Sequence, residues 1–98
     1  MTLFWTAGAR RDLPEIVSRI WVDSPSAAKG LRNRIEHTTA LLKSQPFLGR
    51  PGAIAGTREA IPHPSYRIVY QVVDDTVTIL SVVHTARRWP PFEGQGEA

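Results

Sequence analysis

Ser24-Pro25 separates two stripes of apolar residues at helical spacing, and this junction limits the folds open to the chain. Upstream, Leu13, Ile16, Val17, Ile20 and Trp21 recur at intervals of three and four, the pattern of an amphipathic helix. Asp12 and Glu15 have the spacing of a capping box, and Pro14 suits a first turn, where its missing N–H is not needed. The expectation is therefore a helix opening near Asp12. A start at Ala7 is the rival reading, and it would carry Pro14 inside and kink there. Downstream, Ser24 caps and Pro25 takes the first position of a second helix, with Ala28, Leu31, Ile35, Thr38 and Leu42 as its stripe. That helix ends near Ser44, before Pro46. Joined so tightly, the two helices must fold back as an antiparallel hairpin. Gly30 lies within the second helix, at a cost of about 1 kcal/mol against alanine, and is expected to let the helices approach closely.

Pro46 to Gly56 is rich in proline and glycine and reads as a loop. Before the helices, Thr2 to Trp5 is a short β-prone run. After the loop come Thr57 to Ile61, Tyr66 to Val73 and Thr76 to Val83, the last two separated only by Asp74-Asp75. Those two segments form a tight hairpin. The order β-α-α-β-β-β predicts an α+β domain in which two helices cover one face of a small antiparallel sheet. The expected domain is 1–92, with 93–98 as a polar, frayed tail.

At 98 residues the chain can bury one modest core. The absence of cysteine removes disulfides, thiolate zinc sites and cysteine nucleophiles. No apolar run is long enough to span a bilayer, and Met1-Thr2-Leu3-Phe4-Trp5 does not open like a secretion signal, so a soluble cytoplasmic protein is expected. The formal charge is +3, and Lys29 and Lys43 are the only lysines among twelve cationic residues. An arginine-rich balance favours an acidic partner. It lacks the clustered basic face usual in proteins that live on nucleic acid.

A two-residue turn sets Val73 opposite Thr76, and alternation then assigns the sheet faces. Ile68, Tyr70, Val72, Val77, Ile79, Ser81 and Val83 fall on the expected core side. Arg67, Val69, Gln71, Thr78, Leu80, Val82 and His84 fall on the open side, with Arg87 and Arg88 just beyond. Arg67 and His84 would thus share one face near one end of the hairpin. Such a cluster is either a phosphate or carboxylate site with His84 as acid or base, or a solvated face whose arginines cover apolar neighbours. The second arrangement is the commoner one. His37 and His63 read as surface or turn residues, and no zinc spacing or phosphate-binding glycine loop is present, so no metal or cofactor is expected. Trp5, Trp21 and Trp89 read as core anchors.

Taken in order, several stretches resemble the RelE/ParE superfamily of toxins. Trp5, Ala9, Asp12-Leu13 and Ile16 look like its opening, and Asp23-Ser24-Pro25 with Ala27-Ala28 like its second-helix start. Gly49-Arg50-Pro51-Gly52 and Gly56-Thr57-Arg58-Glu59 resemble its loop and entry into the sheet. The strongest stretch is Tyr66-Arg67-Ile68-Val69-Tyr70, followed by Val77 to Pro90. The resemblance spans roughly residues 3 to 91 and implies two antiparallel helices packed on one face of a small twisted antiparallel sheet.

The resemblance implies the toxin of a type II toxin–antitoxin (plasmid stabilisation) system, held inactive by a cognate acidic antitoxin in a hetero-oligomer. ParE-like members are linked to inhibition of DNA gyrase and are not nucleases. RelE-like members cut messenger RNA on the ribosome, and Arg58, Arg67, His84 and Arg87 match loosely the positions of their catalytic groups. In that case Arg67 would stabilise phosphate charge and His84 would move the proton. Alternatively, the chain is a non-toxic module in an operator-binding complex with its antitoxin. The low charge, the paucity of lysine and the His84-x-Ala86-Arg87-x-Trp89-Pro90 ending favour the ParE-like branch.

Overall fold

The computed structural model describes residues 1–86. Arg87, Arg88, Trp89 and the expected tail 93–98 lie outside the described residues. The elements run β1 (Thr2–Trp5), α1 (Ala7–Asp23), α2 (Pro25–Ser44), β2 (Arg50–Pro51), β3 (Arg58–His63), β4 (Tyr66–Val73) and β5 (Thr76–His84).

The junction behaves as its residues dictate. Ser24 ends α1 by donating its N–H to Ile20 O, and its hydroxyl accepts the Ala27 N–H to cap α2. One residue cannot separate the helices, so they pack against each other as a hairpin.

The start of α1 differs from expectation. The cap is Thr6, whose hydroxyl accepts the Ala9 N–H at 3.2 Å and donates to Leu80 O at 3.2 Å. The helix thus begins at Ala7 and runs through Pro14. A side chain that both caps the helix and bonds β5 outweighs the local preference of proline for a first turn.

The sheet is mixed and five-stranded, in the order β1-β5-β4-β3-β2. β3–β4, β4–β5 and β2–β3 are antiparallel, whereas β1 lies parallel to β5, with Thr2 opposite Thr76 and Trp5 opposite Ile79. This corrects the purely antiparallel expectation. β1 is the first strand and β5 the last, and a parallel pair needs an intervening crossover, which the rest of the chain supplies. The loop also gives an unexpected short edge strand, β2. β3 extends past Ile61 to His63, accommodating Pro62 where the β3–β4 register shifts.

The core lies between the helices and one sheet face. Ile35, Leu42, Ile68, Tyr70, Val77 and Ile79 are fully buried there, with Leu3, Trp5, Leu13 and Ile20 packed around them. On α2 the buried threonine is Thr39, one position beyond the stripe residue Thr38. Trp21 is no anchor: it is 46% exposed, and the Lys29 ammonium sits 5.6 Å from its ring centroid. Gly30 is exposed, and a Cβ built on it meets nothing within 4 Å, so it does not mediate helix approach.

Candidate functional site

The β4–β5 hairpin starts as expected, with Val73 opposite Thr76 and Asp74 in the left-handed region at φ 52°. Val72 faces Val77, and Tyr70 faces Ile79. Val69, however, lies opposite Ser81, so Leu80 is an extra residue in β5. A bulge of one residue reverses the side-chain alternation beyond it. Val82 stands opposite Ile68 and joins the core, Val83 stands opposite Arg67, and His84 stands opposite Tyr66.

The expected faces are therefore corrected beyond the bulge. Arg67 and His84 occupy opposite sides of the sheet, because the inserted residue inverts every position that follows. The bulge is tied to α1: one Asp12 carboxylate oxygen accepts the Ser81 hydroxyl at 2.9 Å and the Val82 N–H at 3.0 Å.

On the side away from the helices, Arg67 is engaged within the fold. One guanidinium nitrogen lies 3.1 Å from Glu59 Oε1, and another donates to Thr85 O at 3.3 Å. Glu59 sits across β3–β4 opposite Val69 and its side chain is only 3% exposed. Its Oε1 also lies 3.6 Å from Arg50, while Oε2 accepts the Ala53 N–H at 3.2 Å. The result is a buried carboxylate held between two arginines, of which Arg67 is 17% exposed and Arg50 is 64% exposed.

Arg58 stands opposite Tyr70, at a helix-side position, and turns to the loop before β2. It donates to Gly49 O at 2.6 and 3.0 Å and to Phe47 O at 3.3 Å, with its guanidinium 5.2 Å from the Phe47 ring centroid. Tyr70 holds the same loop from below, its hydroxyl donating to Pro46 O at 2.8 Å and accepting the Gly49 N–H at 2.9 Å.

His84 is exposed, its Nδ1 accepts the Ala86 N–H at 3.0 Å, and its ring meets Tyr66 edge-on with centroids 5.1 Å apart. It lines a shallow cleft with Asp12, Glu15, Arg19 and Tyr66, where α1 passes the end of the sheet. Arg67, Arg58 and His84 are thus three separate arrangements. Arg87, the fourth candidate, lies outside the described residues. Among the described residues, no three His, Asp or Glu side chains gather as a metal-ligand set. None of their helices is long and apolar enough to cross a membrane.

Residues 3–89 match the family model described as the ParE toxin of the type II toxin–antitoxin system parDE. This chain belongs to the ParE toxin family. It is 40% identical to the protein Y4kP of Sinorhizobium fredii, over 88% of this chain and 90% of that one. It is also 37% identical to toxin RelE2 of Caulobacter vibrioides, over 85% of this chain and 93% of the relative. Its fold is similar to a solved structure of the chromosomal ParDE system of P. aeruginosa, with a TM-score of 0.76 and 24% identity, covering 86% of this chain and 95% of that one. The relatives carry both ParE and RelE names, so the ParE/RelE superfamily of type II toxins is the common ground.

Within this ParE-family chain, sequence reasoning missed Glu59, Asp12 and Tyr70 as site-building residues. Glu59 has a faint signal, a lone carboxylate in a β-prone segment following Arg58. Asp12 carries a misleading one, since its spacing to Glu15 imitates a helix cap. Tyr70 reads as core, which is right for its ring and silent about its hydroxyl.

Proposed function

We propose that this chain is a toxin that acts by ParE-like inhibition of DNA gyrase rather than by cutting RNA. A cognate acidic antitoxin neutralises it in a hetero-oligomer. The separation of Arg67 from His84 across the sheet carries this reading. Cleavage of a phosphodiester requires the proton-transfer group and the charge-stabilising cation to reach the same phosphate. Here the two flank opposite faces, Arg67 is paired with Glu59, and Arg58 is bound to loop carbonyls. The arginine-rich composition supports an acidic antitoxin, whose disordered segment would fold on binding.

The likeness to toxin RelE2 favours a second reading, a ribosome-dependent messenger RNA nuclease. Arg67, His84, Arg87 and Arg58 would then be its candidate catalytic groups.

Expression from a tightly controlled promoter, with and without the antitoxin, separates the two. Filamentation, a DNA-damage response and continued early translation support the gyrase reading. A prompt fall in translation with cut transcripts, abolished by Arg67→Ala in a folded variant, replaces it with the nuclease reading. Unaffected growth overturns both in favour of a binding module.

A further inference from the structure

We propose that Glu59 is an internal electrostatic lock that determines what class of partner the sheet face away from the helices can take. By neutralising Arg67 inside the fold, it makes the face unsuited to a phosphodiester chain and suited to a protein side chain that engages Arg50. This deepens the reading of the chain as a protein-directed toxin and rests on it for the partner, although the lock itself is a property of the free chain.

Position comes first. β3 and β4 place Glu59 and Arg67 on the same face, flanking Val69, which is fully buried beneath them. Glu59 is 3% exposed, a place where a carboxylate is costly unless it is paired and hydrogen-bonded. It is both, through Arg67 at 3.1 Å, Arg50 at 3.6 Å and the Ala53 N–H. An apolar pair in place of both Glu59 and Arg67 would fill the same space, whereas removing Glu59 alone leaves the Arg67 cation without its carboxylate. The carboxylate does what an apolar residue cannot: it cancels a cation.

Charge decides the consequence. Without Glu59 the face would present Arg50 and Arg67 side by side, a fork pair suited to bidentate phosphate recognition. With Glu59 the triad carries one net positive charge, and the exposed cation is Arg50. Among the described residues, the buried Nε–H of Arg67 has no hydrogen-bond partner. Polyanion binding grows with each unneutralised cation, so one internal carboxylate shifts the balance against nucleic acid. The exposed arginine of this triad, Arg50, still suits a carboxylate on a partner protein.

The test measures binding of a fluorescent oligouridylate at low salt to wild type, Glu59→Gln and the double variant Glu59→Gln/Arg67→Gln, each checked for fold by circular dichroism. Glu59→Gln should bind about tenfold tighter with a steeper salt dependence, one charge contact corresponding to about that ratio. The double variant should return to the wild-type affinity. Glu59→Gln binding within twofold of wild type, in a folded protein, overturns the proposal. If Glu59→Gln does not fold, the wild-type chain is titrated with pyrophosphate while the arginine Nε–H signals are followed by NMR. A shift at Arg50 with Arg67 unmoved supports the lock, and a shift at Arg67 overturns it. Growth phenotype enters neither arm, so failure of the lock and failure of the gyrase reading are distinguishable.

Discussion

Asp12 holds Ser81 across 69 residues of sequence, accepting its hydroxyl at 2.9 Å, and the same carboxylate oxygen takes the Val82 N–H at 3.0 Å. The first turns of α1 are thereby fixed to the bulge of β5. Thr6 adds a second tie by donating its hydroxyl to Leu80 O. Together these contacts fix an irregularity that a regular ladder would erase, and the irregularity decides which way Val82, Val83 and His84 point.

Replacing Asp12 with alanine leaves the Val82 N–H and the Ser81 hydroxyl without their acceptor in a partly buried site. The expected loss is about 2 kcal/mol, read as a lower urea midpoint. Asparagine at this position should lose less, because its amide oxygen can still accept. A loss below about 0.5 kcal/mol for Asp12→Ala would remove the carboxylate from this role.

The Tyr70 hydroxyl and the missing side chain of Gly49 form one arrangement. A Cβ on Gly49 would lie 2.7 Å from that hydroxyl and 2.6 Å from Glu59 O. Tyr70→Phe is expected to cost about 1–3 kcal/mol through the orphaned Gly49 N–H and Pro46 O, and Gly49→Ala at least as much. The double variant should cost less than the sum by about 1 kcal/mol, because removing the hydroxyl relieves part of the clash. Strict additivity in denaturation experiments would show that the two do not share the site.

Gly30 offers the opposite case. It is exposed in the middle of α2, and a Cβ there meets nothing. Gly30→Ala should stabilise the protein by about 1 kcal/mol and raise its melting temperature by several degrees, through helix propensity alone. A destabilised variant would mean that another copy of the chain packs on the bare backbone in solution.

His84 provides the functional check. Its side chain is exposed, and among the described residues it accepts the Ala86 N–H and meets the Tyr66 ring edge-on. Under the gyrase reading, His84→Ala retains growth inhibition on induction. Loss of inhibition in a variant that still folds and still binds its antitoxin would make His84 part of the action on the target.

Much of the architecture is legible along the chain. The Ser24-Pro25 junction, the α2 stripe and the two-residue turn at Asp74-Asp75 each rest on hydrogen bonds or packing between near neighbours, and each forms where the residues indicate, except that Thr39 takes the buried place expected of Thr38. The candidate site is less legible. Arg67 could be singled out as a charged residue in a strand, but its partner Glu59 could not, since the pairing depends on the β3–β4 register. Strict alternation places His84 on the wrong face because Leu80 is an extra residue in β5. Pro14 and Asp12 suggested a late helix start because their local signals agree with each other, while Thr6 and Leu80 met only after the strand had docked.

The sequence alone determined the two helices, their hairpin and the β4–β5 hairpin, since periodicity, caps and turn chemistry act over a few residues, and its motifs carried the resemblance to the superfamily. Tertiary structure alone decided the parallel docking of β1 on β5, the bulge that parts Arg67 from His84, and the burial of Glu59 between two arginines. Each of these depends on residues distant in sequence meeting at one register, and a shift of one position in that register exchanges the two faces of the sheet.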